Sequence, residues 1–201
     1  MITLPTFSNP RPTREWLINE QKRLHVQADK MMSTTKVMSV LVKYGHFSGI
    51  GGSYLYNTMI YPDLDVGIVT DTVTRQTVAD LLSELTLNEY VRGIRTADTV
   101  NFNISKHPKP KGYWIGIDIP FENDRWGIDC WLQQPDWQTE NEDIYTEKLA
   151  NIDEEKKIAI LSIKYSLIYR GLYGKTFLSD DVYDAVLDEG VRTIDEFMLL
   201  T

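Results

Sequence analysis

The sequence is poor in cysteine and histidine, and it has no long apolar run. It contains one cysteine, Cys130, and three histidines among 201 residues. A single cysteine excludes an intramolecular disulfide, and the histidines do not show the spacing of zinc ligands. No apolar stretch approaches the roughly 20 residues that a membrane-spanning helix needs, and the first residues lack a basic segment followed by an apolar run. We therefore expect a cytoplasmic protein without a signal peptide, a zinc site or a membrane partner.

Positive charge is also scarce. Lysine and arginine number 21 against 29 aspartates and glutamates, so the formal net charge is −8. A protein that binds duplex nucleic acid must neutralise phosphates with basic side chains, and this balance argues against such a partner. The apolar fraction of 42% and aromatic fraction of 11% are sufficient for a sizeable core.

Apolar periodicity predicts an α+β fold, in which a mixed sheet is flanked by helices and followed by a helical C-terminal part. Leu17, Leu24, Ala28 and Met31 are spaced for one face of a helix that begins after Thr13. We predict further helices at 33–45, 53–59, 74–87, 154–174 and from 179 onward. We predict strands at 46–52, 64–69, 90–95 and 99–105, and a hairpin at 113–133. The acidic run over 140–155 could recruit a polycationic partner, but a solvated connection is favoured.

Residues 51–68, GGSYLYNTMIYPDLDVGI, combine two features that attract opposite charges. The Gly51-Gly52-Ser53 turn allows the backbone to approach an anion closely and can offer free N–H groups to phosphate oxygens. Asp63 and Asp65 are two residues apart on a strand, so both side chains lie on one face. Two neighbouring carboxylates repel unless a cation joins them, and Mg²⁺ prefers oxygen ligands. A metal-bound nucleoside triphosphate would satisfy both features.

These residues resemble the nucleotidyltransferase superfamily that includes DNA polymerase beta and the aminoglycoside and lincosamide adenylyltransferases. Its members carry Gly-[Gly/Ser], a gap of about ten residues and an Asp-x-Asp with apolar flanks. Gly52-Ser53 and Asp63-Leu64-Asp65-Val66 are similar to that motif, and Asp129 in WGIDCWL is similar to the third carboxylate, which lies on a later strand. The resemblance spans residues 36–133.

The resemblance implies a nucleotidyltransferase core over 1–150 and a helical addition over 151–201. It implies a metal-dependent enzyme that moves a nucleoside monophosphate, with ATP as the expected donor of AMP, to a hydroxyl of a small molecule. Asp63, Asp65 and Asp129 would be the catalytic acids and would hold two Mg²⁺ ions, and Gly52 and Ser53 would bind the nucleotide. The alternative is a non-catalytic nucleotide- or partner-binding protein of the same fold, antitoxin-like or regulatory. Antitoxin members usually have an arginine shortly after Gly-Ser, where this chain has Tyr54-Leu55-Tyr56-Asn57.

The predicted hairpin supplies a further acid. If Asn123-Asp124 forms its tip, Asp118 lies directly opposite Asp129, with Cβ atoms about 5 Å apart. Asp118 is then a second candidate ligand, or an acid that orients the first. Removing either charge is expected to stabilise the metal-free protein.

Aromatic and basic side chains near the predicted site allow two interpretations each. The tryptophans around the hairpin could stack on a base or an acceptor ring, but packing at a sheet edge is favoured. Three basic residues of the C-terminal part could reach a triphosphate, but solvated helix faces are favoured. The tryptophans are Trp114, Trp126, Trp131 and Trp137, and the basic residues are Lys164, Arg170 and Lys175.

Overall fold

The structure, a computed structural model, describes residues 5–8, 11–102, 111–135 and 141–201. Helices and strands are mixed along the chain, so the expected α+β fold class is confirmed. No helix in the described ranges is long and apolar enough to cross a membrane. In chain order the elements are α1 (Arg14–Thr35), α2 (Val37–Leu41), β1 (His46–Gly51), α3 (Gly52–Leu55), β2 (Asp63–Val69), α4 (Arg75–Leu87), β3 (Gly93–Asp98), β4 (Tyr113–Phe121), β5 (Asp124–Gln133), α5 (Asn141–Ala150), α6 (Glu154–Tyr169), α7 (Ser179–Leu187) and α8 (Ile194–Leu200).

The five strands form one mixed sheet in the order β1-β2-β5-β4-β3. Strands β2 and β5 are parallel, and the other neighbours are antiparallel. Along β2 the buried residues are Leu64, Val66 and Ile68, which alternate with less buried ones. Because successive side chains of a strand point to opposite faces, Asp63 and Asp65 lie on the face away from this core.

Two hydrophobic clusters stabilise the fold. The first joins the apolar sheet face to α1, α2 and α4, with Leu24, Met31 and Leu81 fully buried in it. The second lies among α6, α7 and α8 and includes Leu17 of α1 and Ile60. Helix α1 therefore contacts both clusters. The boundary between residues 150 and 151 stays a prediction.

The start of α1 agrees with its sequence signal, but its end does not. The Thr13 hydroxyl accepts a hydrogen bond from the Trp16 backbone N–H at 3.1 Å, as a capping residue should. The helix then continues to Thr35, and Lys36, with a φ of 57°, separates it from the short α2. The single helix expected over 33–45 is therefore wrong. The Thr35 carbonyl accepts a hydrogen bond from the Asn88 side chain at 2.9 Å. This contact with a residue distant in sequence stabilises the break between α1 and α2.

Four other expectations need correction. The acidic run expected as a solvated connection contains α5, where Tyr145 and Lys148 bond Asp184 and Asp188 at 2.8 and 2.7 Å. Helix α6 ends at Tyr169, well before residue 174. The strand expected at 90–95 lies instead at Gly93–Asp98. Residues 99–102 turn back from this strand, and the rest of the strand expected at 99–105 lies outside the described residues.

The hairpin has a different tip from the expected one. Phe121 pairs with Asp124, so Glu122 and Asn123 form the two-residue turn. Asp118 lies opposite Gly127, and Asp129 lies opposite Gly116. The direct pairing of Asp118 with Asp129 is therefore wrong.

Helix α1 holds this register from outside the hairpin. Lys30 forms an ion pair with Glu122, and Gln27 donates to the same carboxylate at 3.2 Å. Arg23 binds Asp124 at 2.6 Å. Glu122 in the tip and Asp124 beside it are thus both anchored to one face of α1. These contacts fix where the chain turns.

Candidate functional site

The structure brings the three acids predicted from the sequence together on one sheet face. The parallel pairing of β2 with β5 places Asp65 directly beside Asp129. Asp63 lies two residues before Asp65 on the same face of β2, and its partner on β5 is Gly127. On the other side of Asp65, its partner on β1 is Gly51, the residue that leads into the Gly52-Ser53 turn. The acids and the turn therefore share one end of the sheet.

Gly52 makes the closest link between the turn and the acids. Its φ is 58°, in the left-handed region that favours glycine. A Cβ atom built on it would lie 2.1 Å from Oδ2 of Asp65, which is far inside contact distance. A side chain at this position would displace the Asp65 carboxylate and would strain the backbone. Ser53 follows in the first turn of the short helix α3.

Asp63 is held in a strongly anionic setting. Its Oδ2 accepts a hydrogen bond from the Tyr61 hydroxyl at 3.1 Å, and its Oδ1 is buried without a hydrogen-bond partner in the described part of the chain. Burial raises the pKa of Asp63 well above its usual range, and the charges of Asp65 and Asp129 raise it further. This cluster favours a proton or a cation.

Lys164 of α6 supplies a buried positive charge next to the turn. Its ammonium donates to the Ser53 hydroxyl at 2.6 Å and to the Thr58 carbonyl oxygen at 3.2 Å. It also lies 5.8 Å from the ring centre of Tyr173 and 5.4 Å from that of Tyr183. The side chain is completely buried, so the expected solvated position is wrong. Its charge lowers the pKa of Asp63, against the larger effects of burial and the neighbouring acids.

The other two basic candidates are exposed, as favoured from the sequence, although neither lies within a helix. Arg170 is half exposed and lies 3.7 Å from Asp195 in an ion pair. Lys175 is exposed in the connection between α6 and α7. Lys164 instead belongs to a run of buried residues that extends from Ile163 to Ile168.

Asp118 lies on the acid-bearing face but is engaged elsewhere. The Arg125 guanidinium donates to both of its carboxylate oxygens, with Nε at 2.7 and 2.8 Å. Asp118 occupies the row of Asp63, with Gly127 between them. Its charge is therefore neutralised by Arg125, and we assign it no ligand role.

The tryptophans around the hairpin divide between the two sheet faces. Trp126 is completely buried in the apolar core. Trp114 and Trp131 pair directly across β4 and β5 and are half-buried on the acid-bearing face. Trp137 lies outside the described residues. Packing in the core thus explains Trp126 but not the other two.

Comparison of the chain with protein-family models and with curated proteins found no match. Within the described ranges, no group of three or more histidine, cysteine, aspartate and glutamate side chains is arranged so that it could hold a metal ion. Mg²⁺ is commonly held by only one or two carboxylates, and it completes its shell with substrate phosphates and water. The site thus combines neighbouring carboxylates, a tight glycine turn and a buried ammonium group.

Proposed function

We propose that the protein is a metal-dependent nucleotidyltransferase that moves AMP from ATP to a hydroxyl of a small molecule. The observation that carries this proposal is the contact between Gly52 and Asp65, with Asp129 beside them. It supports one site in which a phosphate chain and a metal are bound together. The action is proposed to take place in the cytoplasm, without a duplex nucleic acid partner, in keeping with the single cysteine and the net charge of −8.

The carboxylates fit the divalent cations that this reaction needs. Asp63, Asp65 and Asp129 would hold two Mg²⁺ ions through oxygen atoms, the ligand type that Mg²⁺ prefers. The buried Oδ1 of Asp63 has no hydrogen-bond partner among the described residues, and the repulsion around it is relieved by a cation. When bound, the metal neutralises phosphate charge and favours ionisation of the attacking hydroxyl.

The turn would bind the triphosphate, and the buried Lys164 would support the turn from behind. The backbone N–H groups around Gly52 and Ser53 can donate to phosphate oxygens. Lys164 already donates to the Ser53 hydroxyl at 2.6 Å, so it holds that hydroxyl in place and brings a positive charge to the same spot. Positioning and charge neutralisation account for most of the catalysis in phosphoryl-type transfers, so few further residues are needed.

In this proposal Asp129 acts on the acceptor. In the proposed step, the acceptor oxygen forms a bond to the α-phosphorus of ATP, and the bond from that phosphorus to the bridging oxygen of pyrophosphate breaks. Pyrophosphate leaves with the electron pair, and Asp129 takes the proton of the acceptor hydroxyl. Its position on β5, one strand further than Asp65 from the turn, supports this division of roles.

The test is incubation of the protein with Mg²⁺ and ATP labelled at the α-phosphate, over a panel of hydroxyl compounds. We expect labelled acceptor and unlabelled pyrophosphate in equal amounts, and loss of both when a chelator removes the metal. Asp65→Asn should lower turnover at least about 100-fold, since it removes a charged ligand of the metal that neutralises the reacting phosphate. Asp71→Asn changes an exposed aspartate in the loop after β2 and serves as the matched control. Binding of the nucleotide without turnover on any compound would contradict the enzyme and favour the non-catalytic alternative.

A further inference from the structure

Two indoles extend the acid-bearing sheet face beyond Asp129. Trp131 follows Asp129 by two residues on β5, so their side chains share a face. Trp114 is the direct partner of Trp131 on β4 and therefore lies on the same face. Both residues are half-buried, so part of each is open to solvent. The proposed transfer chemistry does not use either ring.

The position of one indole is fixed by a glycine. A Cβ atom built on Gly116 would lie 2.7 and 2.8 Å from Cζ2 and Cη2 of Trp114. The six-membered part of the Trp114 ring therefore covers Gly116, where any other residue would push it away. Gly116 is the direct partner of Asp129 across β4 and β5. This places an aromatic ring next to the third carboxylate.

The indoles and the glycine turn lie on opposite sides of the acids. Across the sheet, the row runs from Gly51 to Asp65, Asp129 and Gly116. Neighbouring strands are about 4.8 Å apart, so the two ends of this row are separated by about 14 Å. If the triphosphate occupies the turn, the Trp114 ring lies on the side from which the acceptor approaches.

We propose that Trp114 and Trp131 form the acceptor subsite, and that the acceptor is a ring-bearing alcohol whose flat face packs against these indoles. The proposal rests on the proposed function for its orientation. A sugar ring and an aromatic ring both present such a face, and each can carry a hydroxyl on the ring or one carbon away from it, within reach of Asp129. Aromatic side chains bury large areas against flat partners, whereas a flexible acyclic alcohol loses more conformational freedom for less contact.

Binding without nucleotide tests the subsite separately from turnover. The probes are methyl α-D-glucopyranoside, benzyl alcohol and sorbitol, titrated in turn and followed by tryptophan fluorescence and by saturation-transfer NMR. We expect at least one ring probe to bind and sorbitol to bind at least tenfold more weakly. The two ring probes distinguish a sugar acceptor from an aromatic one. Failure of both ring probes to bind, or equal binding of sorbitol, would overturn the subsite.

Variants assign the binding to the indoles. Trp114→Leu and Gly116→Ala should each weaken the ring probe at least tenfold, the first by removing the ring and the second by displacing it. Gly116→Ala keeps every tryptophan, so it serves where Trp114→Leu fails to fold. Trp16→Leu is the control, because Trp16 packs against Phe7 and Tyr165 instead. Unchanged affinity in both subsite variants would overturn the proposal.

Kinetics separate this proposal from the proposed function. With an active acceptor, Trp114→Leu should raise the KM for the acceptor at least tenfold and leave the KM for ATP unchanged. If a ring probe binds at Trp114 but the protein has no transfer activity, the subsite is supported and the proposed enzyme function is contradicted. If the protein has transfer activity but neither Trp114→Leu nor Gly116→Ala changes the acceptor KM, the enzyme function is supported and the subsite is contradicted.

Discussion

Gly52 and Gly51 are neighbours that should respond very differently to the same substitution. Gly52→Ala places a Cβ atom 2.1 Å from Oδ2 of Asp65, and real Cβ contacts are not shorter than 3.0 Å. The carboxylate must therefore retreat by about 1 Å, a displacement that can lower the rate roughly 100-fold in a preorganised site. The φ of 58° adds about 1–2 kcal/mol of backbone strain for alanine. Gly51 has a φ of −97°, and a Cβ atom added to it would meet open space within 4 Å, so Gly51→Ala should change the free energy of unfolding by less than about 0.5 kcal/mol.

The assay compares the two variants by thermal melting and by pyrophosphate release with Mg²⁺ and ATP. We expect Gly52→Ala to melt several degrees lower and to lose activity about 100-fold, while Gly51→Ala stays near the wild type in both. Equal activity of Gly52→Ala and the wild type would refute the contact between turn and carboxylate. Equal damage from both alanines would show that the turn, and not its approach to Asp65, is what matters.

Further substitutions test the charges of the site. Lys164→Met keeps the apolar length of the side chain and removes a buried ammonium, so it should raise the KM for ATP at least tenfold without lowering the melting temperature; an unchanged KM would remove Lys164 from the nucleotide site. Asp118→Asn breaks the pair with Arg125 and should cost up to about 1 kcal/mol of stability with activity kept within severalfold, measured by urea unfolding and kinetics; a stabilised or inactive variant would contradict this. Because the pKa of Asp63 is raised in the folded protein, the folded state binds this proton more tightly than the unfolded chain, and metal-free stability should fall as the pH rises from about 4 through the raised pKa. Asp63→Asn should reduce that slope in melts at pH 5 and pH 7.5 with chelator, and an identical slope would refute the electrostatic account.

The sequence alone was sufficient for features that depend on local pattern. Strand alternation predicts that Asp63 and Asp65 lie on one face of the strand and Leu64 and Val66 on the other. The burial pattern of β2 shows this alternation. The Thr13 cap and the apolar spacing after it predict the start of α1, because both act within a few residues. These are interactions between near neighbours, which a single sequence displays directly.

The hairpin register could not be predicted in this way. Moving the tip from Glu122-Asn123 to Asn123-Asp124 shifts the cross-strand partner of each residue by two positions. Both registers therefore place Ile117, Ile119 and Ile128 on the core face. Alternation cannot choose between them. The choice is made by Lys30 and Arg23 of α1, which hold the turn through contacts that are distant in sequence.

Lys164 and α5 were missed for a related reason. A lysine in a helix is usually solvated, and only the packing of α6 against the Ser53 turn shows that this one is buried. The acidic residues near α5 suggested a linker, yet Tyr145 and Lys148 attach this helix to α7. In both cases a tertiary contact decides the environment, and the local composition points the other way.

The central claim is that the Gly52-Ser53 turn and the carboxylates form one site for a metal-bound triphosphate. Calorimetric titration with α,β-methylene-ATP, which cannot transfer its nucleotidyl group, tests it most directly. We predict binding that requires Mg²⁺ and is weakened at least tenfold by Asp65→Asn. Ser53→Ala should weaken it less, because the backbone N–H survives that substitution and can still donate to a phosphate oxygen. Binding that is equally strong with a chelator present, or that Asp65→Asn leaves unchanged, would contradict the claim.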